Sequence, residues 1–137
     1  MPASPRAKAI ALQSLYQSVH QLMLGYAPPF MTRSGMIRGK PDFHLLTPKP
    51  VVIPGSYGGK PTNPALASVI LQKGYVGFYF MPVYVDPALK TKLSPALVKL
   101  LKGKSCFYLK RAEESLLKDI DAALKLGVEC FKKRGWL

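Results

Sequence analysis

The segment LASVILQKGYVGFYF, residues 66–80, decides the fold because it has the pattern of a β-hairpin. Its two arms are rich in β-branched and aromatic residues, which favour strands. Lys73-Gly74 separates the arms and supplies the residues of a tight turn. Pro82 and then Asp86-Pro87 stop the second arm. The sequence therefore predicts two antiparallel strands that pair with each other.

Long helices are predicted on both sides of this hairpin in the chain. Ser4-Pro5 has the pattern of a helix cap followed by proline in the first turn. Apolar residues then recur at three- and four-residue spacing, which predicts a helix from about 5 to 24. The same spacing predicts a second helix from 113 to about 134.

Weaker patterns predict the elements between these helices. Ser94-Pro95 is a second cap-plus-proline pair, and it begins a short helix that ends at Gly103. Proline and glycine crowd the stretch after residue 46, which indicates an ordered surface loop. The remaining predictions are a short strand at 43–46, the loop at 47–64 with a brief edge strand at 51–53, and a strand at 105–110.

This order of elements predicts the fold class. Hairpin connections without regular alternation of strands and helices favour an α+β, two-layer sandwich with an antiparallel sheet. The N- and C-terminal helices are expected on one face of that sheet. A chain of 137 residues is long enough to bury a core, so residues 1–137 are expected to form a single domain.

Composition narrows the classes of partner and the compartment. The net charge is +13, and no apolar run approaches the roughly 20 residues that a membrane span needs. Polar residues interrupt the N-terminal segment too often for a secretory signal. The two cysteines, Cys106 and Cys130, are expected to be reduced thiols. A cytoplasmic protein without membrane association is the expectation.

Alternation divides the strands into two faces. Val76, Phe78 and Phe80 are the more apolar set, so we assign them to the helix side together with Phe107 and Leu109. The open face is then predicted to consist of Tyr75, Gly77, Tyr79, Cys106, Tyr108 and Lys110.

Tyrosines beside a lysine form an amphipathic surface of the kind enriched at binding interfaces. We expect this surface to dock a protein partner or a second copy of the chain. The alternatives are a solvated face or one roofed by the loop at 47–64. Gly77 either packs closely or leaves room for a ligand ring.

A basic run forms a second candidate site. The segment 90–111 contains seven lysines and arginines and no acid. A solvated face is one interpretation, and weak binding of nucleic acid or another anion is the other. The candidate anion-binding residues are Lys99, Lys102, Lys104, Lys110 and Arg111.

Catalytic and metal-binding patterns are absent from the sequence. There is no GxSxG, HExxH or GxGxxG motif. His20 and His44 are expected to be surface or hydrogen-bonded residues, and Cys106 has no predictable acid–base partner. The expectation is a non-enzymatic binding domain with no cofactor and no metal site.

Three stretches resemble the YdhG-like family of bacterial domains of unknown function. They are GYVGFYFMPVY, LLKGKSCFYLKR and ECFKKRGWL, with GKPDFHL at 39–45 as a weaker echo. The resemblance implies an architecture similar to frataxin and, as an alternative function, a frataxin-like iron chaperone. Hard cations prefer oxygen ligands, yet the first helix carries Arg6 and Lys8 and no acid.

Overall fold

A computed structural model of the chain describes residues 4–55 and 57–137, and in this part of the chain it has the predicted α+β class. Six strands form one open antiparallel sheet in the order β1-β2-β3-β4-β6-β5. The strands are β1 (Met31–Ile37), β2 (Lys40–Leu46), β3 (Ala65–Gln72), β4 (Tyr75–Phe80), β5 (Leu101–Lys102) and β6 (Cys106–Leu109).

Four α-helices accompany the sheet in the described chain. They are α1 (Pro5–Leu24), α2 (Met81–Val85), α3 (Pro95–Val98) and α4 (Glu114–Lys133). The cap of α1 is formed as predicted, because the Ser4 hydroxyl accepts a hydrogen bond of 3.1 Å from the Ala7 N–H. Both long helices, α1 and α4, begin and end within about two residues of their predicted bounds.

The two long helices pack against the sheet and against each other. From α1, the His20 ring stacks on Phe43 of β2 with centroids 4.0 Å apart. From α4, Gly127 approaches so closely that a Cβ there would lie 2.9 Å from the Phe80 ring. Glycine at this position thus lets the helix pack closely on the sheet.

The core lies between the helices and one face of the sheet. Phe78, Phe80 and Phe107 are fully buried on this side, and so are Val76 and Leu109. Opposite positions in the β4–β6 ladder pair Phe78 with Phe107 and Val76 with Leu109, so all of them point the same way. The predicted assignment of the helix-side face is confirmed.

The first hairpin was only partly predicted. The sequence indicated one short strand at 43–46, whereas β1 and β2 form a hairpin of two seven-residue strands. Arg38 and Gly39 form its turn, both with positive φ (51° and 76°), as a type I′ turn requires. Every residue of β1 is exposed, so this strand has no apolar alternation for sequence analysis to detect.

Two predictions for the connecting segments were wrong. The edge strand at 51–53 does not join the sheet; Val51 forms an isolated bridge with Thr62 inside the loop, and Ile53 is buried in the core. The short helix does not reach Gly103, because α3 ends at Val98 and the chain then forms β5. Leucines at helical spacing therefore belong to two elements, a helix of one turn and an edge strand.

Candidate functional site

One row of side chains crosses the whole open face of the sheet. Directly opposite positions on successive strands lie on the same face, so the ladder registers define this row. From β1 to β5 its members are Arg33, His44, Ser68, Tyr79, Cys106 and Lys102. The row begins and ends with a cation and has neutral or hydrogen-bonded groups between them.

A tyrosine pair stands beside this row. The rings of Tyr75 and Tyr108 are stacked nearly parallel, with centroids 4.0 Å apart and planes at 9°. The pKa of Tyr75 is raised to about 12, mainly by a side-chain hydrogen bond with Tyr108 and secondly by desolvation. Tyr75, like any tyrosine with a pKa of 10 or above, is neutral at physiological pH, so it adds no negative charge to the face.

The space above Gly77 is filled by tyrosine rings. A Cβ at this position would lie 3.1 Å from Cε2 of Tyr79 and 3.7 Å from Cε2 of Tyr75. The idea that the glycine leaves room for a ligand ring is therefore wrong. Glycine here lets the neighbouring tyrosines lean together, which is the close packing considered as its alternative.

Cys106 is placed on the open face as predicted, but its thiol is buried. The residue is 9% exposed, and burial raises the pKa of the Cys106 thiol. Burial also raises the pKa of Tyr79, the residue opposite it on β4. Because the thiolate is the reactive form of cysteine, this environment disfavours reactivity.

A hydrogen-bonded relay on the same face was missed by sequence analysis. His44 Nε2 lies 2.8 Å from Oδ1 of Asp42, and His44 Nδ1 lies 2.7 Å from the Ser68 hydroxyl. In the tautomer that satisfies both contacts, His44 Nε2–H donates to the Asp42 carboxylate and Nδ1 accepts a hydrogen bond from the Ser68 hydroxyl. The signal was in the sequence, since Asp42 and His44 alternate around Phe43 and so share a face.

The Asp42–His44–Ser68 relay gives a buried carboxylate its hydrogen-bond partner. Asp42 is only 6% exposed and needs polar partners there. Ser68 lies within β3, whose backbone is paired with β2 on one side and β4 on the other. These two ladders engage the backbone on both sides of Ser68, whereas an oxyanion site needs N–H donors that are not used in a ladder.

A basic groove of about 450 Å³ adjoins the tyrosine pair. Four of the five candidate anion-binding residues line it, and so does Tyr108. These four are Lys99, Lys102, Lys110 and Arg111. Glu113 and Asp119 line the groove from the side of α4, so its cations outnumber its acids.

The structure separates Lys104 from this groove. Its ammonium lies 5.9 Å from the centre of the Tyr84 ring, near the end of α2. Lys110 also differs from its prediction, because β6 ends at Leu109 and Lys110 follows the strand as an exposed residue. It lines the basic groove beside Tyr108 instead of continuing the open face.

Acidic residues are concentrated away from the open face. Five of the seven acids belong to the segment 113–129, where Glu114, Asp121 and Glu129 pair with lysines of α4. Glu129 pairs with Lys132 at 3.8 Å. Asp42 is the one acid within the six strands of the described chain, and its carboxylate is hydrogen-bonded to His44.

The loop at 47–64 borders the open face at one end. Val51 and Ile53 are buried in the core, whereas Thr62 and Asn63 line a groove of about 440 Å³ with Tyr79 and members of the relay. The described part of the loop thus lies beside Tyr79. The roof predicted as an alternative for the tyrosines is not formed by Val51 or Ile53, which point into the core.

Within residues 4–55 and 57–137, no three histidine, cysteine, aspartate or glutamate side chains come together as possible metal ligands. In the same residues, no helix has the length and apolar character needed to cross a membrane.

The chain was compared with protein-family profiles, with curated proteins and with solved structures. None of the three comparisons found a match. Membership of the YdhG-like family therefore stays a prediction from the sequence.

Proposed function

We propose that this chain is a non-enzymatic binding domain that docks single-stranded nucleic acid across the open face of its sheet. The observation that carries the proposal is the stacked pair Tyr75–Tyr108 directly beside a groove lined by four cations. Stacking platforms combined with basic grooves are the usual means of binding single strands without sequence preference.

The tyrosine pair supplies the stacking surface. Both side chains are half-buried, so the pair is anchored on the sheet and still reaches solvent. A base that extends the stack would rest on an outer ring face, and such contacts contribute about 1–3 kcal/mol per base. A double helix cannot use this surface, since its bases are already stacked on one another.

The basic groove supplies contacts for the phosphate backbone. Tyr108 belongs to both the stack and the groove, so bases and phosphates of one strand can be held at the same time. Lys99 and Arg111 are exposed and free to adjust to a flexible strand. With about four phosphate contacts, the slope of log K against log salt should be about −3.

Charge favours a nucleic acid over a protein as the occupant. The cross-sheet row ends in Arg33 and Lys102, and Asp42, an acid on the same face beside the row, is bonded to His44. Protein–protein interfaces are depleted in lysine at their centres, whereas the protein surfaces that bind nucleic acid are enriched in positive charge. A net charge of +13 suits the same kind of partner.

The layer of helices on an antiparallel sheet supports the predicted likeness to the YdhG-like family and to frataxin. The iron-chaperone alternative gains no support from the same site. Helix α1 carries no acid, and iron delivery needs oxygen ligands.

The test is fluorescence anisotropy with labelled oligo-dT and oligo-U of about 15 nucleotides, a length within the site sizes of single domains. We expect Tyr75→Ser/Tyr108→Ser to weaken binding by roughly tenfold or more, because the stacking contacts are lost. Lys102→Ser/Lys110→Ser should weaken binding and make the salt slope shallower by about 1.4.

Lys118→Ser/Lys125→Ser is the matched control. It removes the same charge from α4, where both lysines pair with acids of their own helix. We expect it to weaken binding less than the groove variant. No binding at low salt, or equal losses for the two lysine variants, would contradict the proposal. Binding of a protein at this face, with no binding of an oligonucleotide, would assign the face to a protein partner.

A further inference from the structure

The two edges of the sheet are protected very differently. Strand β5 has two residues, and one of them is a lysine. Strand β1 has seven residues, all of them exposed, and its pairing with β2 has no bulge. Proteins normally blunt such edges with lysine, proline, bulges or short length, because an open edge invites another strand. Arg33 is the single charge in β1.

We propose that β1 pairs with β1 of a second copy of this chain, antiparallel and centred on Ser34. This edge lies apart from the Tyr75–Tyr108 pair and the basic groove, and the proposal does not depend on the function proposed for them. The occupant follows from the strand itself, whose hydrogen-bonding positions, side chains and charge are complementary to their own two-fold copy.

The turn fixes which backbone groups are free. Ile37 and Lys40 close a two-residue hairpin, so their backbone groups bond each other. Hydrogen-bonded and non-hydrogen-bonded pairs alternate along an antiparallel ladder. The N–H and C=O groups of Thr32, Ser34 and Met36 consequently point away from β2. Two copies centred on Ser34 would join these groups in about six backbone hydrogen bonds.

Side chains select this register over its neighbours. Centring on Ser34 uses all seven residues and pairs Met31 with Ile37 of the second copy. Met31, Met36 and Ile37 are 45%, 68% and 48% exposed, so apolar area is available to bury. Centring on Arg33 would place the two arginines directly opposite each other, which is unfavourable, and would use fewer residues.

Charge also favours the Ser34 register, because it places Arg33 of the second copy opposite Gly35. The carboxylate of Asp42 leans over that glycine, with Oδ1 3.1 Å and Oδ2 3.5 Å from where a Cβ would be. Oδ1 is bonded to His44, which leaves Oδ2 as the oxygen that a guanidinium would contact. The glycine thus gives the incoming arginine access to an acid.

The pairing keeps both open faces on one side of a joined sheet. Positions that pair across the two-fold axis have the same parity, so Arg33 and Asp42 of both copies share a face. One seven-residue edge is small beside a standard interface of about 1,600 Å². The dimer is therefore expected to be reversible and dependent on concentration.

The test is sedimentation velocity over a concentration series, with amide hydrogen exchange followed by NMR on the same samples. We expect a monomer–dimer equilibrium in which the amides of Thr32, Ser34 and Met36 gain protection as the dimer forms. Ser34→Pro removes an outward N–H and leaves the β1–β2 bonds in place, so it should give a folded monomer. Arg33→Glu should weaken the dimer by roughly tenfold or more.

Lys49→Glu is the control, because it makes the same charge change on the exposed loop. It should leave the equilibrium within about twofold. A wild-type chain that stays monomeric at its highest soluble concentration would overturn the proposal. So would a dimer that persists in both Ser34→Pro and Arg33→Glu, since the contact would then lie elsewhere. Arg33→Glu keeps the test valid if the proline variant fails to fold.

Discussion

The two faces of the sheet are built from the same strands but hold the molecule together in different ways. On the helix side, Phe78, Phe80 and Phe107 are completely buried against helices. On the open side, Tyr75 and Tyr108 keep part of their surface in solvent and stack on each other. Alternation along one short segment thus separates residues that maintain the fold from residues available for binding.

The largest expected effect comes from reversing the polarity of the helix-side face. Phe78→Ser removes a buried ring and leaves a hydroxyl without a partner, so it should lower the free energy of unfolding by about 3–5 kcal/mol. Tyr75→Ser on the open face should change it by less than about 1 kcal/mol. Urea titration followed by circular dichroism measures both, and equal losses would mean that the two faces are not distinct.

The buried relay should have the next largest effect, although it lies on the open face. His44→Leu leaves the Asp42 carboxylate without its partner and should cost about 1–3 kcal/mol. Ser68→Ala should cost about 1 kcal/mol, since one hydrogen bond is lost. Thermal and urea unfolding check these values.

The same relay tests whether the chain is non-enzymatic. A fluorophosphonate probe, which labels activated serines, should not label Ser68 in the folded protein. Ser68→Ala supplies the control for the position of any label. Stoichiometric labelling that disappears in this variant would contradict the structural role assigned to the relay.

A matched pair of glycines compares packing on the two sides. In Gly127→Ala the new methyl group would meet Phe80 and Pro82 at 2.9 Å, and neither ring can move easily. Overpacking of this kind costs about 1–3 kcal/mol, partly offset by about 1 kcal/mol of helix propensity. Gly77→Ala meets Tyr79 at 3.1 Å, where the ring can shift outward, so its cost should be smaller. Unfolding by urea gives the comparison.

The smallest expected effect is a loss of stability at alkaline pH. The pKa of Tyr75 is raised from 10.0 to about 12, so the folded state holds this proton more tightly than the unfolded state. Its contribution is present below pH 10 and is lost as pH rises towards 12. Tyr75→Phe should flatten this part of the stability profile, and tyrosinate absorbance should show one fewer late titration.

Much of the fold could be predicted because its signals are local. The cap at Ser4, the turn at Lys73-Gly74 and the alternation around Phe78 each depend on residues close in sequence. Strand β1 could not be predicted, since it is exposed throughout and its partner strand, not its own pattern, makes it a strand.

The site was predicted unevenly for the same reason. The open-face tyrosines follow from alternation, and the structure places them together. Ser68 joins His44 only through the register between β2 and β3, which a single sequence does not specify. Lys104 was grouped with the other lysines by proximity in the chain, but the turn between β5 and β6 directs it towards Tyr84.

A chemical-shift map of the ¹⁵N-labelled protein titrated with oligo-dT at low salt tests directly whether the open face binds single strands. We expect the perturbed amides to lie on the open face around Tyr75, Tyr79 and Tyr108 and along the groove at Lys99, Lys102, Lys110 and Arg111. The amides of α1 should stay unperturbed. Perturbations confined to α1 and α4, with the tyrosine strands unchanged, would contradict the assignment of the open face as the binding surface.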